Sequence, residues 1–160
     1  MAPGKGILAA DESTGTIKKR FDTIKLTSTE EARRDYRHML FTTPKVNQFI
    51  SGVILYDETL RQKAADGRSL VSILKDAGII PGIKVDIGAK PLALHPGETV
   101  TEGLDGLADR LAEYRKLGAK FAKWRAVYAI GGGIPSRAGY AANAHALARY
   151  AGLCQEAGIV

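Results

Sequence analysis

The sequence predicts an α/β protein of the closed (β/α)8 type, a TIM barrel, with about the first four strand–helix units present in its 160 residues. Three observations lead there. Short Val- and Ile-rich runs alternate with stretches of helical periodicity, the pattern of a parallel sheet with crossover helices. Ionisable residues (Asp11, Asp57-Glu58, Lys84 and Asp86, Lys123 and Arg125) fall at or near the C-terminal ends of those runs, where a barrel builds its active-site rim. Period-two alternation puts Lys84 with Asp86 on one strand face and Lys123 with Arg125 on another. Charges on a buried face are costly unless they meet each other or a ligand. An open doubly wound sheet is the main alternative and accounts less well for this pattern.

The elements follow in order. Gly6–Ala10 reads as a short apolar strand leading into the polar turn Asp11–Gly15, then a helix over about Thr16 to Phe21. Ser28-Thr29-Glu30-Glu31 has the Ser-x-x-Glu form of a capping box. It should open a helix through about Phe41 with Ala32, Tyr36, Met39 and Leu40 on its apolar side. Ile50–Tyr56 is the second strand, followed by a helix over about Ser69 to Asp76 that Gly78 closes. Ile79–Val85 is the third strand. Leu104, Leu107, Leu111 and Tyr114 recur at helical spacing within Glu102–Leu117, and Gly118 ends that segment. Phe121–Val127 is the fourth strand. Ser136–Ala157 is a long alanine-rich helix, and Ile159-Val160 looks like the opening of a fifth strand. Four strands make half a barrel, so the expectation is a single partial domain over residues 1–160, a piece of a longer chain.

Composition narrows the classes. Apolar residues at 45% and charged residues at 25% are ordinary for a globular chain. No apolar run approaches the length of a membrane span, and Met1 to Lys5 carry no signal-peptide core. The single cysteine, Cys154, excludes an internal disulfide framework and suits a reducing compartment. The net charge of +6 is spread along the chain rather than gathered in a nucleic-acid footprint, and it also suits an enzyme of anionic metabolites. Cytoplasmic location, with neither a membrane nor a nucleic-acid partner, is the expectation. His38, His95 and His145 have no metal-ligand spacing, so no metal or other cofactor is expected. Gly4-Lys5-Gly6-Ile7-Leu8-Ala9 fits G-x-G-x-x-A but precedes its strand, so the dinucleotide fingerprint fails on context.

Four motifs carry a resemblance. Gly4–Gly15 (GKGILAADESTG), Gly52–Leu60 (GVILYDETL), Gly82–Asp86 (GIKVD) and Phe121–Arg125 (FAKWR) stand in order, followed by Asn143, Leu147–Ala151 (LARYA) and Gly158–Val160. Together they resemble the N-terminal half of class I, Schiff-base-forming, fructose-bisphosphate aldolases. Asp57 stands where animal members of that family carry histidine, and Gly131-Gly132-Gly133 is richer in glycine than the family pattern. The resemblance implies a TIM barrel that cleaves fructose 1,6-bisphosphate to glyceraldehyde 3-phosphate and dihydroxyacetone phosphate, without a cofactor. It also implies a homo-oligomer, usually a tetramer, when full length. The Schiff-base lysine and a glutamate acid/base are expected beyond Val160, so residues 1–160 alone are expected to be inactive. A non-catalytic half-barrel that binds or assembles with another half is the alternative from a different class.

By the same resemblance Asp11 and Lys123 are catalytic, handling the proton and hydroxyl beside the bond that breaks. A carboxylate beside an ammonium keeps both ionised, which suits proton traffic but equally suits a structural ion pair. Ser13, Thr16 and Lys84 resemble the residues that hold the substrate's 6-phosphate. Independently, a strand-to-helix turn offers free N–H groups and the positive end of a helix dipole to an anion, though simple N-capping by Ser13 or Thr16 also fits. Arg125 resembles a family arginine near the substrate and is equally placed to partner Asp86. Cys154 lies on an apolar stripe with Leu147, Tyr150 and Ala151 and should be buried.

Overall fold

A computed structural model describes residues 2–160; the part of the N-terminal reading that falls on Met1 lies outside them. Four strands form one parallel sheet: β1 (Gly6–Ala10), β2 (Ile50–Leu55), β3 (Ile80–Lys84) and β6 (Phe121–Lys123), in the order β1-β2-β3-β6. Between them run α1 (Thr14–Thr23), α2 (Glu30–Phe41), α3 (Val46–Phe49), α4 (Asp57–Arg61), α5 (Leu70–Asp76) and α6 (Leu107–Leu117), and α7 (Arg137–Glu156) follows β6. Each strand lies beside its predecessor in the sheet, as right-handed crossovers through intervening helices dictate. The core is the layer between sheet and helices, where Val53, Leu55, Ile83 and Val85 meet Leu70, Leu74, Leu107 and Leu111.

The sheet is strongly curled. In a flat sheet β1 and β6 would stand about 14 Å apart at the usual strand spacing. Yet Lys123 at the end of β6 donates from Nζ to Asp11 Oδ2, just past β1, at 2.9 Å. Only a barrel-like wall brings those two ends together. Val160 N–H donates to the Lys120 carbonyl at 3.1 Å and its own carbonyl accepts from Ala122 N–H at 2.7 Å. That is parallel pairing against the outer edge of β6, as expected for a fifth strand.

Several local expectations change. The fourth strand is short, ending at Lys123 rather than Val127, because the backbone beyond it is held by side chains instead of a neighbouring strand. The helix expected over Glu102–Leu117 begins only at Leu107. Glu102 belongs instead to an antiparallel hairpin, β4 (Gly88–Pro91) paired with β5 (Thr99–Glu102). The cap of α2 is Thr29, whose hydroxyl accepts from Ala32 N–H at 3.1 Å, and not Ser28. Met39 is exposed, while Arg33, Arg37 and Phe41 form the buried face of α2. Hydropathy reads those arginines as solvent-facing, but carboxylates on the strand-end turns draw them inward.

Candidate active site

Three turns after parallel strands converge on one open groove of about 1270 Å³, and all six expected site residues line it. Asp11 and Ser13 leave β1, and Thr16 sits in the first turn of α1. Lys84 is the last residue of β3 and Lys123 the last of β6, and the two are register partners. Adjacent ammonium groups repel, so each is matched by a carboxylate. Lys123 meets Asp11, as above. Lys84 Nζ donates to Asp86 Oδ1 at 2.7 Å and to the Asp86 carbonyl at 2.5 Å.

Asp86 is buried and serves as a hub. Besides Lys84 it accepts from Gly88 N–H at 3.1 Å and from Arg125 N–H at 3.3 Å. Arg125 therefore meets Asp86 through its backbone. Its guanidinium forms no ion pair among the described residues, and the side chain is exposed along the groove. Arg125 does partner Asp86, but through its backbone N–H, which leaves the guanidinium free for the groove. The groove lining as a whole carries as many acidic side chains as lysines and arginines, but Arg125 has no ion-pair partner among the described residues, which leaves one cation along the groove free to meet an anion.

The β1–α1 turn favours the same ligand. Ser13 takes the N-cap position of α1 with extended backbone, yet its side chain accepts no cap bond. Its hydroxyl lies 3.1 Å from that of Thr16 instead. Conventional side-chain capping is therefore absent at Ser13, and both hydroxyls stand at a helix start whose dipole attracts negative charge.

Residues that the sequence did not flag hold this rim in place. Thr101 donates its hydroxyl to the Arg125 carbonyl at 2.7 Å, and Thr99 donates to the Val127 carbonyl at 2.9 Å. Hairpin hydroxyls thus replace strand pairing along residues 125–127. Asn143, buried on α7, donates to the Thr99 carbonyl at 2.8 Å and accepts from Thr101 N–H at 3.4 Å. Glu98 accepts from Ser136 N–H at 2.8 Å at the start of α7, and Ser136, through its side chain first and its backbone N–H second, lowers the Glu98 carboxyl pKa. Of these only Asn143 left a signal in the sequence, as part of the family match and as a polar residue in an alanine-rich helix, and neither pointed to the hairpin.

Outside the rim, burial pushes the Cys154 thiol up, and Tyr150 beside it is raised for the same reason, followed by the influence of Cys154. Cys154 is buried, as its place on the apolar stripe implied. No group of three or more metal-ligating side chains occurs among the described residues, and no described helix is long and apolar enough to cross a membrane.

Polar side chains gathered at the C-terminal ends of a curled parallel sheet are the layout of a (β/α)8-barrel enzyme. The family model for class-I fructose-bisphosphate aldolase matches residues 1–160, and the chain belongs to that family. It is 64% identical over its whole length to a probable fructose-bisphosphate aldolase class 1 of Xanthomonas campestris, covering 48% of that protein. It is 58% identical to the cytosolic fructose-bisphosphate aldolase 4 of Arabidopsis thaliana, with 99% of this chain matched to 40% of that one. The crystal structure of fructose-bisphosphate aldolase from Plasmodium falciparum superposes with a TM-score of 0.97 at 52% identity, over 99% of this chain and 46% of that one. The chain spans about half the length of the relatives it matches.

Proposed function

We propose that these residues form part of an aldolase that cleaves fructose 1,6-bisphosphate to glyceraldehyde 3-phosphate and dihydroxyacetone phosphate in the cytoplasm. The contact between Lys123 and Asp11 across the mouth of the curled sheet carries this reading. A carboxylate held against an ammonium supports an acid/base role for the pair, and Lys84 and Arg125 along the same groove support binding of a phosphorylated sugar. Asp11 and Lys123 handle the proton and the hydroxyl next to the breaking bond. Lys84, Ser13 and Thr16 hold the distal phosphate, with Arg125 beside the substrate. The imine-forming lysine, which family membership implies, lies outside residues 1–160. When bound to the ketose carbonyl it acts as the electron sink for the C3–C4 bond. The full-length protein assembles as a homotetramer in this reading, with no metal and neither nucleic acid nor membrane as partner.

The test uses the full-length protein. Fructose 1,6-bisphosphate cleavage is followed by a coupled assay, with and without a chelator, and substrate plus borohydride is used to trap the imine for mass spectrometry. Chelator-resistant cleavage and a reduced adduct on one lysine are expected. No cleavage, or cleavage that the chelator abolishes with no adduct formed, overturns the proposal. Absence of cleavage by the full-length protein, together with a stable, folded dimer of residues 1–160, would instead point to the half-barrel assembly module.

A further inference from the structure

Arg37 is the largest wholly buried side chain among the described residues, and nothing in the chemistry above uses it. It lies on α2, beneath the rim. Its Nη2 donates to the Glu12 carbonyl at 2.5 Å. The guanidinium stands 3.9 Å from Glu12 Oε2 and 3.7 Å from Glu58 Oε2, and 5.9 Å from the centroid of the Tyr56 ring. Its Nε and Nη1 donate no hydrogen bond among the described residues, and burial pushes its pKa down.

Such a group is an expensive way to fill a core. A desolvated guanidinium with incomplete partners destabilises relative to an aliphatic side chain of similar volume. Local violations of this kind concentrate where function demands them. The single close bond of Arg37 goes to the residue directly after Asp11. Glu12 follows β1 and Glu58 follows β2, so Arg37 spans two adjacent strand-end turns. Its neighbour Arg33 grips Glu58 with two bonds of 2.9 and 2.5 Å, which ties the β2 turn to α2. Through Arg37 the same helix ties down the β1 turn.

We infer that Arg37 is a positioning residue: by fixing the Glu12 carbonyl it sets the Asp11 carboxylate against Lys123. The inference rests on the aldol-cleavage reading above. It follows from the precision that proton transfer needs, since displacement of about 1 Å costs orders of magnitude in rate. Arg37 acts on Asp11 through the chain and touches no substrate.

The experiment compares Arg37→Lys and Arg37→Gln with the parent in the full-length protein, at a temperature where each is folded by circular dichroism. Lysine keeps the buried charge and glutamine keeps a donor, but neither keeps the rigid fork. In each folded variant, kcat for fructose 1,6-bisphosphate cleavage should fall at least about ten-fold with KM within about two-fold, as for a group that acts on the chemical step. Any other pattern, including parent-like kcat or a joint change in kcat and KM, overturns the inference. A parent that cleaves nothing sinks the functional reading itself, and that result is read before any variant is assayed.

Discussion

At the scale of single residues the site is a matter of matched charge. Lys123 and Asp11 are partly buried, 29% and 12% exposed at the side chain, so each is the other's main compensation for lost hydration. Groups that act as one unit lose activity non-additively. In the full-length protein Asp11→Asn and Lys123→Met should each lower kcat by roughly 10²-fold or more. The double variant should be no worse than the poorer single one. Independent, multiplying losses in a double-mutant cycle would show that the two residues do not share a step. A second residue-scale expectation concerns alkali. Cys154 and Tyr150 are both raised by burial, so the folded state holds their protons more tightly than the unfolded state does. Their contribution is fully present below about pH 9, the ordinary thiol value, and is lost as pH climbs through the higher folded values. Urea midpoints measured from pH 7 to 11 should therefore fall above about pH 9. A Tyr150→Phe, Cys154→Ala double variant should flatten that decline. At pH 8 the native thiol should resist a disulfide reagent until urea unfolds the protein.

At the scale of elements, the strands of the main sheet and the longer helices were legible, while the hairpin and the short helices α3 and α4 were not. All four parallel strands and the helices around Phe21, Phe41, Leu74, Leu111 and Ala146 follow from apolar periodicity and glycine stops. The β4–β5 hairpin was invisible for a physical reason. Gly88–Pro91 and Thr99–Glu102 are polar four-residue strands outside the main sheet, and they pack through hydrogen bonds rather than apolar contact. The buried face of α2 escaped for the related reason that two arginines make it. The hairpin nonetheless governs the site, because its threonines hold the backbone on either side of Ala126. Asn143 is the clasp, bonding the Thr99 carbonyl, Thr101 N–H and the Gly139 carbonyl from a buried position. Asn143→Ala strands buried backbone groups and should cost about 2 kcal/mol in urea unfolding. In the full-length enzyme it should also weaken substrate binding through Arg125. A loss of stability with unchanged KM would separate the hairpin from the site.

At the scale of the whole molecule the decisive feature is curvature. The six residues named from motif resemblance all line the groove, and the pairing of Lys84 with Asp86 was readable from alternation alone. That Lys123 meets Asp11 across two intervening strands rested on the resemblance alone and on no local pattern, because closure is a property of the assembled sheet rather than of any segment. The same curvature governs the chain taken alone. The free edge of β1 exposes Ile7 at 46%, and Val160 beside β6 is 91% exposed, so unpaired backbone and apolar side chains flank the curled sheet on both sides. Residues 1–160 expressed by themselves should show no fructose 1,6-bisphosphate cleavage. They should also self-associate through those edges, which sedimentation velocity would detect as a concentration-dependent shift. Co-expression with the remaining part of the Xanthomonas campestris relative supplies partners for both edges and the missing chemical groups. Identity of 64% across the shared half makes compatible strand edges a fair expectation, so cleavage should return with the complex. Cleavage by the 160-residue chain alone would overturn the division of labour proposed here, since its own lysines would then have to form the imine. A complex that assembles without activity would place the failure in the rim geometry, where Asp11, Lys123 and the Arg37 bond to Glu12 are the first distances to measure.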